Sequence, residues 1–146
     1  MALSKKKNNE SKNMHFSRED QKKILSSSSP FIVKEAYSSI RTNLLFSQKG
    51  DECPVFIVTS PTANNGKSIN SVNMAVSFAQ MGKKTLLIDA DMRNPTVHRL
   101  FSIPVKNGLS EILAGLTDNI TVSKTDIENL SVLTAGKIPP NPSELL

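Results

Sequence analysis

Tryptophan is absent from this 146-residue chain, and tyrosine occurs once, at Tyr37. Aromatics make up only 5% of it, and residues 1–30 contain a single one, Phe16, with no recognition motif around it. Nucleic acid is therefore not an expected partner. The lone cysteine, Cys53, excludes an internal disulfide and agrees with a cytoplasmic location. Its thiol is expected to be partly buried at the edge of the core. No apolar run approaches the ~20 residues of a membrane span. The basic N-terminal stretch has no apolar region after it, so it does not read as a secretory signal. No internal repeats occur.

What is present is an ordinary balance of 38% hydrophobic and 21% charged residues, enough for one domain and one core. The net charge of +5 is uneven: residues 1–30 hold seven Lys/Arg and three Asp/Glu, the remainder eleven and ten. Residues 1–30 are Lys/Asn/Ser-rich and end in Ser26–Ser29 and Pro30, which predicts a flexible basic leader. A solvated tail is the plain interpretation; attraction to an anionic membrane surface is the sharper one.

Two segments carry chemistry. Residues 55–68, VFIVTSPTANNGKS, read as an apolar strand, a polar turn, then Gly66-Lys67-Ser68 opening a helix. That is the layout of a phosphate-binding P-loop, G-x-x-x-x-G-K-[ST]. Pro61 stands where the consensus wants the first Gly, and Asn64 where many P-loops place a second. Asn tolerates left-handed backbone best after Gly, so Asn64-Asn65 is expected to form an anion-facing nest. Lys67 would reach phosphates, and the Ser68 hydroxyl would bind magnesium. Residues 86–93, LLIDADMR, read as a second apolar strand delivering Asp89 and Asp91, hard oxygen ligands suited to magnesium. A chance G-K-S in a polar turn is the competing interpretation. The flanking strand and helix and the distal D-x-D argue against it.

From 68 to 81 the apolar residues Val72, Ala75, Val76 and Ala79 recur at helical spacing, with Ile69, Phe78 and Met81 extending the face. Gly82 follows as a C-cap, and a strand is expected at 85–89. A strand–helix–strand unit of this kind pairs in parallel with a right-handed crossover. That arrangement puts both motifs at the C-terminal edge of one sheet. Residues 31–47 predict a helix with Ile32, Ala36, Ile40 and Leu44 on its core face, widened by Val33, Tyr37 and Leu45, and with Lys34, Glu35, Ser38 and Arg41 on its polar side. Short helices are expected at 96–101 and 108–115, a third strand at 130–134, and the start of a helix at 143–146. The fold class is therefore α/β, a parallel sheet of P-loop NTPase type flanked by helices. It is incomplete, because no strand ending in Asp follows residue 134. Residues 31–146 are expected to be the N-terminal part of a larger domain.

At this point the chain resembles the bacterial tyrosine kinases (BY-kinases) of capsular and exopolysaccharide biosynthesis. The ordered blocks EAYSSIRTNLLFS (35–47), VTSPTANNGKS (58–68), LLIDADMRNP (86–95), NGLSEILAG (107–115) and NLSVLTAGKIPPNPSELL (129–146) carry the resemblance. It implies an ATP- and magnesium-dependent kinase that autophosphorylates on tyrosine. It implies nucleotide contacts from Asn64, Asn65, Gly66, Lys67, Ser68 and Ile69. It implies magnesium held by Ser68, Asp91 and Asp89, and chemistry carried by Asp89, Asp91 and Lys67, with Asp89 the base toward the tyrosine hydroxyl. In-line transfer of the γ-phosphoryl group, driven by positioning and charge stabilisation, is the implied mechanism. Arg93 would be structural or near the phosphates.

The resemblance also implies a separate transmembrane adaptor that completes the nucleotide site, recruitment to the inner face of the plasma membrane, and homo-oligomers assembled through the helix holding 35–41. There the family's E-x-x-R-x-x-R becomes Glu35, Ser38, Arg41, which weakens that contact, because serine cannot replace a bidentate guanidinium. The C-terminal tyrosine cluster of the family is absent, and Tyr37 is not an expected phosphoacceptor. Two readings compete. A partitioning-type ATPase would carry a signature Lys in the loop, where this chain has Thr62. A truncated, non-catalytic remnant is the other.

Overall fold

The structure, a computed structural model, describes residues 19–48, 53–62 and 65–145. Most of the leader, and Ala63 and Asn64 of the P-loop, lie outside them. The described residues fall into two compact units, one drawn from 25–88 and 122–133, the other from 19–24, 89–121 and 134–145.

The first unit contains two long helices and a small sheet. Pro30 sets extended backbone, and its carbonyl accepts the Val33 and Lys34 amides to start α1 (Phe31–Ser47). The second helix, α2 (Lys67–Gln80), is followed by Gly82 at φ 82°. The Gly82 amide donates to Ala79 O and the Lys83 amide to Phe78 O, the paired bonds of a Schellman stop, as expected of that glycine. The chain turns into β1 (Thr85–Ile88), then returns through β2 (Ser123–Lys124) and β3 (Leu130–Leu133). The sheet order is β1-β3-β2, with β1 parallel and β2 antiparallel to β3. In register, Thr85 faces Leu130 and Ile88 faces Leu133.

The α2 helix packs on α1, β1 and β3. Val72, Val76 and Val132 are fully buried, with Phe78 and Leu130 close behind. Each such side chain contributes about 1.5–3 kcal/mol over exposure.

Three expectations change here. Residues 55–59 are not a strand. No segment among the described residues gives their backbone a ladder, and Val55 and Ile57 are 84% and 89% exposed. Phe56 alone turns inward, stacking on Phe78 at 5.6 Å. The parallel partner of β1 is thus β3, not the P-loop segment. Cys53, on the same unpaired stretch, is exposed rather than partly buried.

The third change concerns α1, which buries no residue fully. Lys34, Tyr37, Ser38, Arg41, Leu44 and Leu45 are its half-buried positions, while Ile32 and Ile40 are 78% and 44% exposed. Tyr37, Leu44 and Leu45 thus face inward as expected, but Lys34, Ser38 and Arg41 of the expected polar side join them in place of Ile32 and Ile40.

In the second unit, α3 (Val97–Leu100) and α4 (Leu109–Leu113) fall inside the expected helices. A 3-10 turn, Pro142–Glu144, takes the place of the expected last helix. Met92, Val97, Leu100, Ile103 and Ala135 are its buried apolar side chains. The backbones of 108 and 134–136 approach closely: Leu109 N donates to Thr134 O and Ser110 N to Ala135 O. A Cβ at Gly108 would strike Gly136 and Thr134.

Candidate functional site

One candidate site is the turn into α2. Ser60 Oγ donates to Thr62 O (2.9 Å) and Asn65 Nδ2 to Thr62 Oγ1 (2.6 Å), so short polar side chains brace the turn. Among its described residues Gly66 is the one with left-handed backbone, at φ 73°. Asn65 is not left-handed, and Asn64, the other member of the expected nest, lies outside the described residues. Glycine adopts that conformation without steric cost and takes the role. Gly66 N-caps α2 without a side chain, and no carboxylate occupies the first turn. The positive end of a 14-residue helix therefore faces no anionic side chain of its own, the condition that favours a bound phosphate. Lys67, Ser68 and Ile69 are the first residues of that helix, all half-buried.

Separately, the other unit carries the D-x-D turn that follows β1 in sequence. Asp89 is buried, 5% exposed, and its carboxylate is held by three amides. Oδ1 accepts from Asp91 N (3.2 Å), and Oδ2 from Thr96 N (3.2 Å) and Val97 N (3.1 Å). Burial raises the Asp89 pKa above its usual range, against those three amides and with the help of the Asp91 charge. Asp91 is half-buried and accepts Asn94 N at Oδ1 (3.0 Å), a local bond that carries the chain toward Pro95. The Thr96 hydroxyl is buried without a hydrogen-bond partner among the described residues. Two carboxylates and this unsatisfied hydroxyl are hard oxygens of the kind magnesium and its waters take. Arg93 is exposed. His98 beyond them is lowered in pKa by burial and by Arg99.

Two clusters escape a motif-based reading. Arg41 Nη1 donates to Ser77 O (2.8 Å) and Ser77 Oγ (3.0 Å). Tyr37 Oη donates to Asn70 Oδ1 (2.8 Å) and accepts from Asn73 Nδ2 (3.2 Å). The available signal was Asn73 and Ser77, polar residues set among the apolar core positions of α2. In the second unit Glu111 is buried, with Oε2 accepting Gly108 N (2.9 Å) and Oε1 accepting Lys137 N (3.1 Å). Burial pushes its pKa up, but the bonds from Lys137, Ser110 and Gly108 outweigh it and hold the carboxyl below its usual value. This is a structural carboxylate joining α4 to the loop after β3.

No protein-family model matches the chain. Curated proteins do. The Staphylococcus aureus protein CapB, provisionally named a tyrosine-protein kinase, is 46% identical over 115 residues, 78% of this chain and 50% of its own length. The tyrosine-protein kinase YwqD of Bacillus subtilis is 41% identical over 128 residues, 86% of this chain and 54% of its own. The tyrosine-protein kinase etk of Escherichia coli is 39% identical over 113 residues, 77% of this chain and 16% of its own. Among solved structures, the BceF tyrosine kinase domain superposes with a TM-score of 0.73 at 41% identity, covering 84% of this chain and 49% of that one. The kinase domain of E. coli ETK gives 0.72 at 38%, over 77% and 45%. The chimerical protein CapA2B2 gives 0.66 at 43%, over 81% and 51%. The chain thus spans about half the length of CapB and YwqD.

Proposed function

We propose, from a chain that belongs with the bacterial tyrosine kinases by sequence and by fold, that it forms the nucleotide-binding part of an ATP-dependent protein-tyrosine kinase controlling capsular or exopolysaccharide synthesis and export. The observation that carries this reading is Gly66, left-handed at an uncapped helix N-terminus and followed directly by Lys67 and Ser68. In this reading Asn64 and Asn65 line the phosphate turn, and Gly66, Lys67, Ser68 and Ile69 present amides and the ammonium to phosphate oxygens. Ser68 and Asp91 are the magnesium ligands, with Asp89 assisting. Bound magnesium would supply Lewis-acid neutralisation of phosphate charge. Asp89 accepts the proton of the attacking tyrosine hydroxyl, and its raised pKa suits a proton acceptor better than an ordinary aspartate.

The reading extends to partners. The outward stripe of Ile32, Ala36 and Ile40 on α1 supports assembly into homo-oligomers through the helix holding 35–41, weakened by Ser38. A separate transmembrane adaptor is the proposed activator. Among the described residues no helix is long and apolar enough to cross a membrane. The chain is proposed to act in the cytoplasm, recruited to the membrane's inner face.

Replacing Lys67 by Ala in the producing cells tests the reading. Loss of phosphotyrosine with altered surface polysaccharide is expected. Unchanged phosphotyrosine and unchanged polysaccharide would instead favour a non-catalytic remnant. ATP turnover with no phosphotyrosine at all would favour a partitioning-type ATPase.

A further inference from the structure

The chain's single tyrosine is tied to the phosphate turn through side chains. Asn70 stands at the hinge of that tie. Its Nδ2 donates to Gly66 O (3.0 Å), and its own amide donates to the same carbonyl (2.9 Å). Its Oδ1 accepts the Tyr37 hydroxyl proton at 2.8 Å. Asn70 is exposed, so packing does not fix its amide, and water competes for both of its ends. Tyr37 is half-buried and better held. Behind it, Asn73 Nδ2 donates to the phenol oxygen, while Asn73 Oδ1 accepts Leu25 N at 2.7 Å. Asn73 is itself 4% exposed. The chain of bonds thus runs from a buried, immobilised amide outward to the turn, and hydrogen bonds in such a series reinforce one another.

The receiving end is the residue whose conformation matters most. Gly66 is left-handed, and a Cβ there would meet Asn70 Nδ2 at 3.2 Å. Its carbonyl direction and the amide direction of Lys67 belong to one peptide plane. Holding that carbonyl therefore aims the next amide.

We infer that Tyr37 is a positioning residue for the phosphate-binding turn: its hydroxyl orients the Asn70 amide, which in turn locks the Gly66 peptide. The inference rests on the reading of this turn as the nucleotide site. It gives the only tyrosine a task that needs its hydroxyl but not its phosphorylation.

The test is calorimetric titration of Mg·ATP into the full chain, well below its melting temperature, for wild type, Tyr37→Phe, Asn70→Leu, the double variant and Lys67→Ala. Tyr37→Phe and Asn70→Leu should each weaken binding about three- to tenfold, the range of a lost net hydrogen bond. The double variant should bind no worse than Asn70→Leu, because both changes cut one chain. Asn70 is exposed, so Asn70→Leu keeps the test open should Tyr37→Phe fold poorly. Unchanged dissociation constants with a lowered melting temperature would make Tyr37 a mere strut between helices and overturn the inference. Strictly additive losses would overturn it as well. Wild type and Lys67→Ala behaving alike would instead remove the nucleotide reading, and the inference with it.

Discussion

At the scale of single residues, two buried carboxylates titrate in opposite senses. Glu111 is held below its usual value of 4.5, so its contribution to stability is present above that pH and lost as pH falls through the lower folded value. Glu111→Gln should cost about 1–3 kcal/mol at neutral pH, the range for hydrogen bonds to a charged group. In urea melts, the gap to wild type should narrow as pH falls below 4.5. Asp89 is raised above 3.8, so whatever stability its neutral form brings is lost as pH climbs from there through the folded value. Asp89→Asn should accordingly remove a pH-dependent cost above that window, and a midpoint gap that stays flat across it would contradict the assignment. Gly136 is sensitive to a side chain. It sits at φ 84°, and a Cβ would collide with Glu111 Oε2. Gly136→Ala should destabilise by at least about 1–3 kcal/mol through backbone strain alone, read as a lowered thermal midpoint.

At the scale of elements, backbone hydrogen exchange separates what pairs from what does not. Amides of β3, bonded on both edges, should exchange slowly, and those of residues 53–60 near the rate of an open chain. Strong protection of 53–60 would contradict the unpaired geometry. Leu130→Ala, at the buried start of β3, should cost about 2–5 kcal/mol. The legibility of each element follows from where its stabilisation comes from. α2 was readable because its period, its glycine stop and its buried face agree locally. β3 was readable from its apolar alternation, LSVLT. The strand expected at 55–59 was not, because a strand exists only through a partner, and no apolar pattern reports whether one is near. On α1 the inward turn of Tyr37, Leu44 and Leu45 was legible, whereas that of Arg41 was not, because it bonds to Ser77 on α2, 36 residues away. β2, two residues long, left no pattern to read.

At the scale of the whole molecule, the two motifs had unequal fates. The G-K-S turn keeps the helix start its sequence implied but not the strand before it, whereas the D-x-D turn follows β1 as expected, with the Asp89 carboxylate caged by amides. Residues at turns were legible because glycine and aspartate state their backbone needs directly. The supporting shell of Asn70, Asn73 and Glu111 was not, because it is defined by tertiary neighbours. The relation to tyrosine kinases spans 77–86% of this chain and about half of CapB and YwqD. The central claim is that this chain carries a magnesium-nucleotide site built on Gly66, Lys67 and Ser68. Equilibrium titration of Mg·ATP into the 146-residue chain beside its Lys67→Ala variant tests that most directly. Saturable binding at one site, abolished by Lys67→Ala, is the expected result. Absence of binding, or equal binding by both proteins, would contradict it.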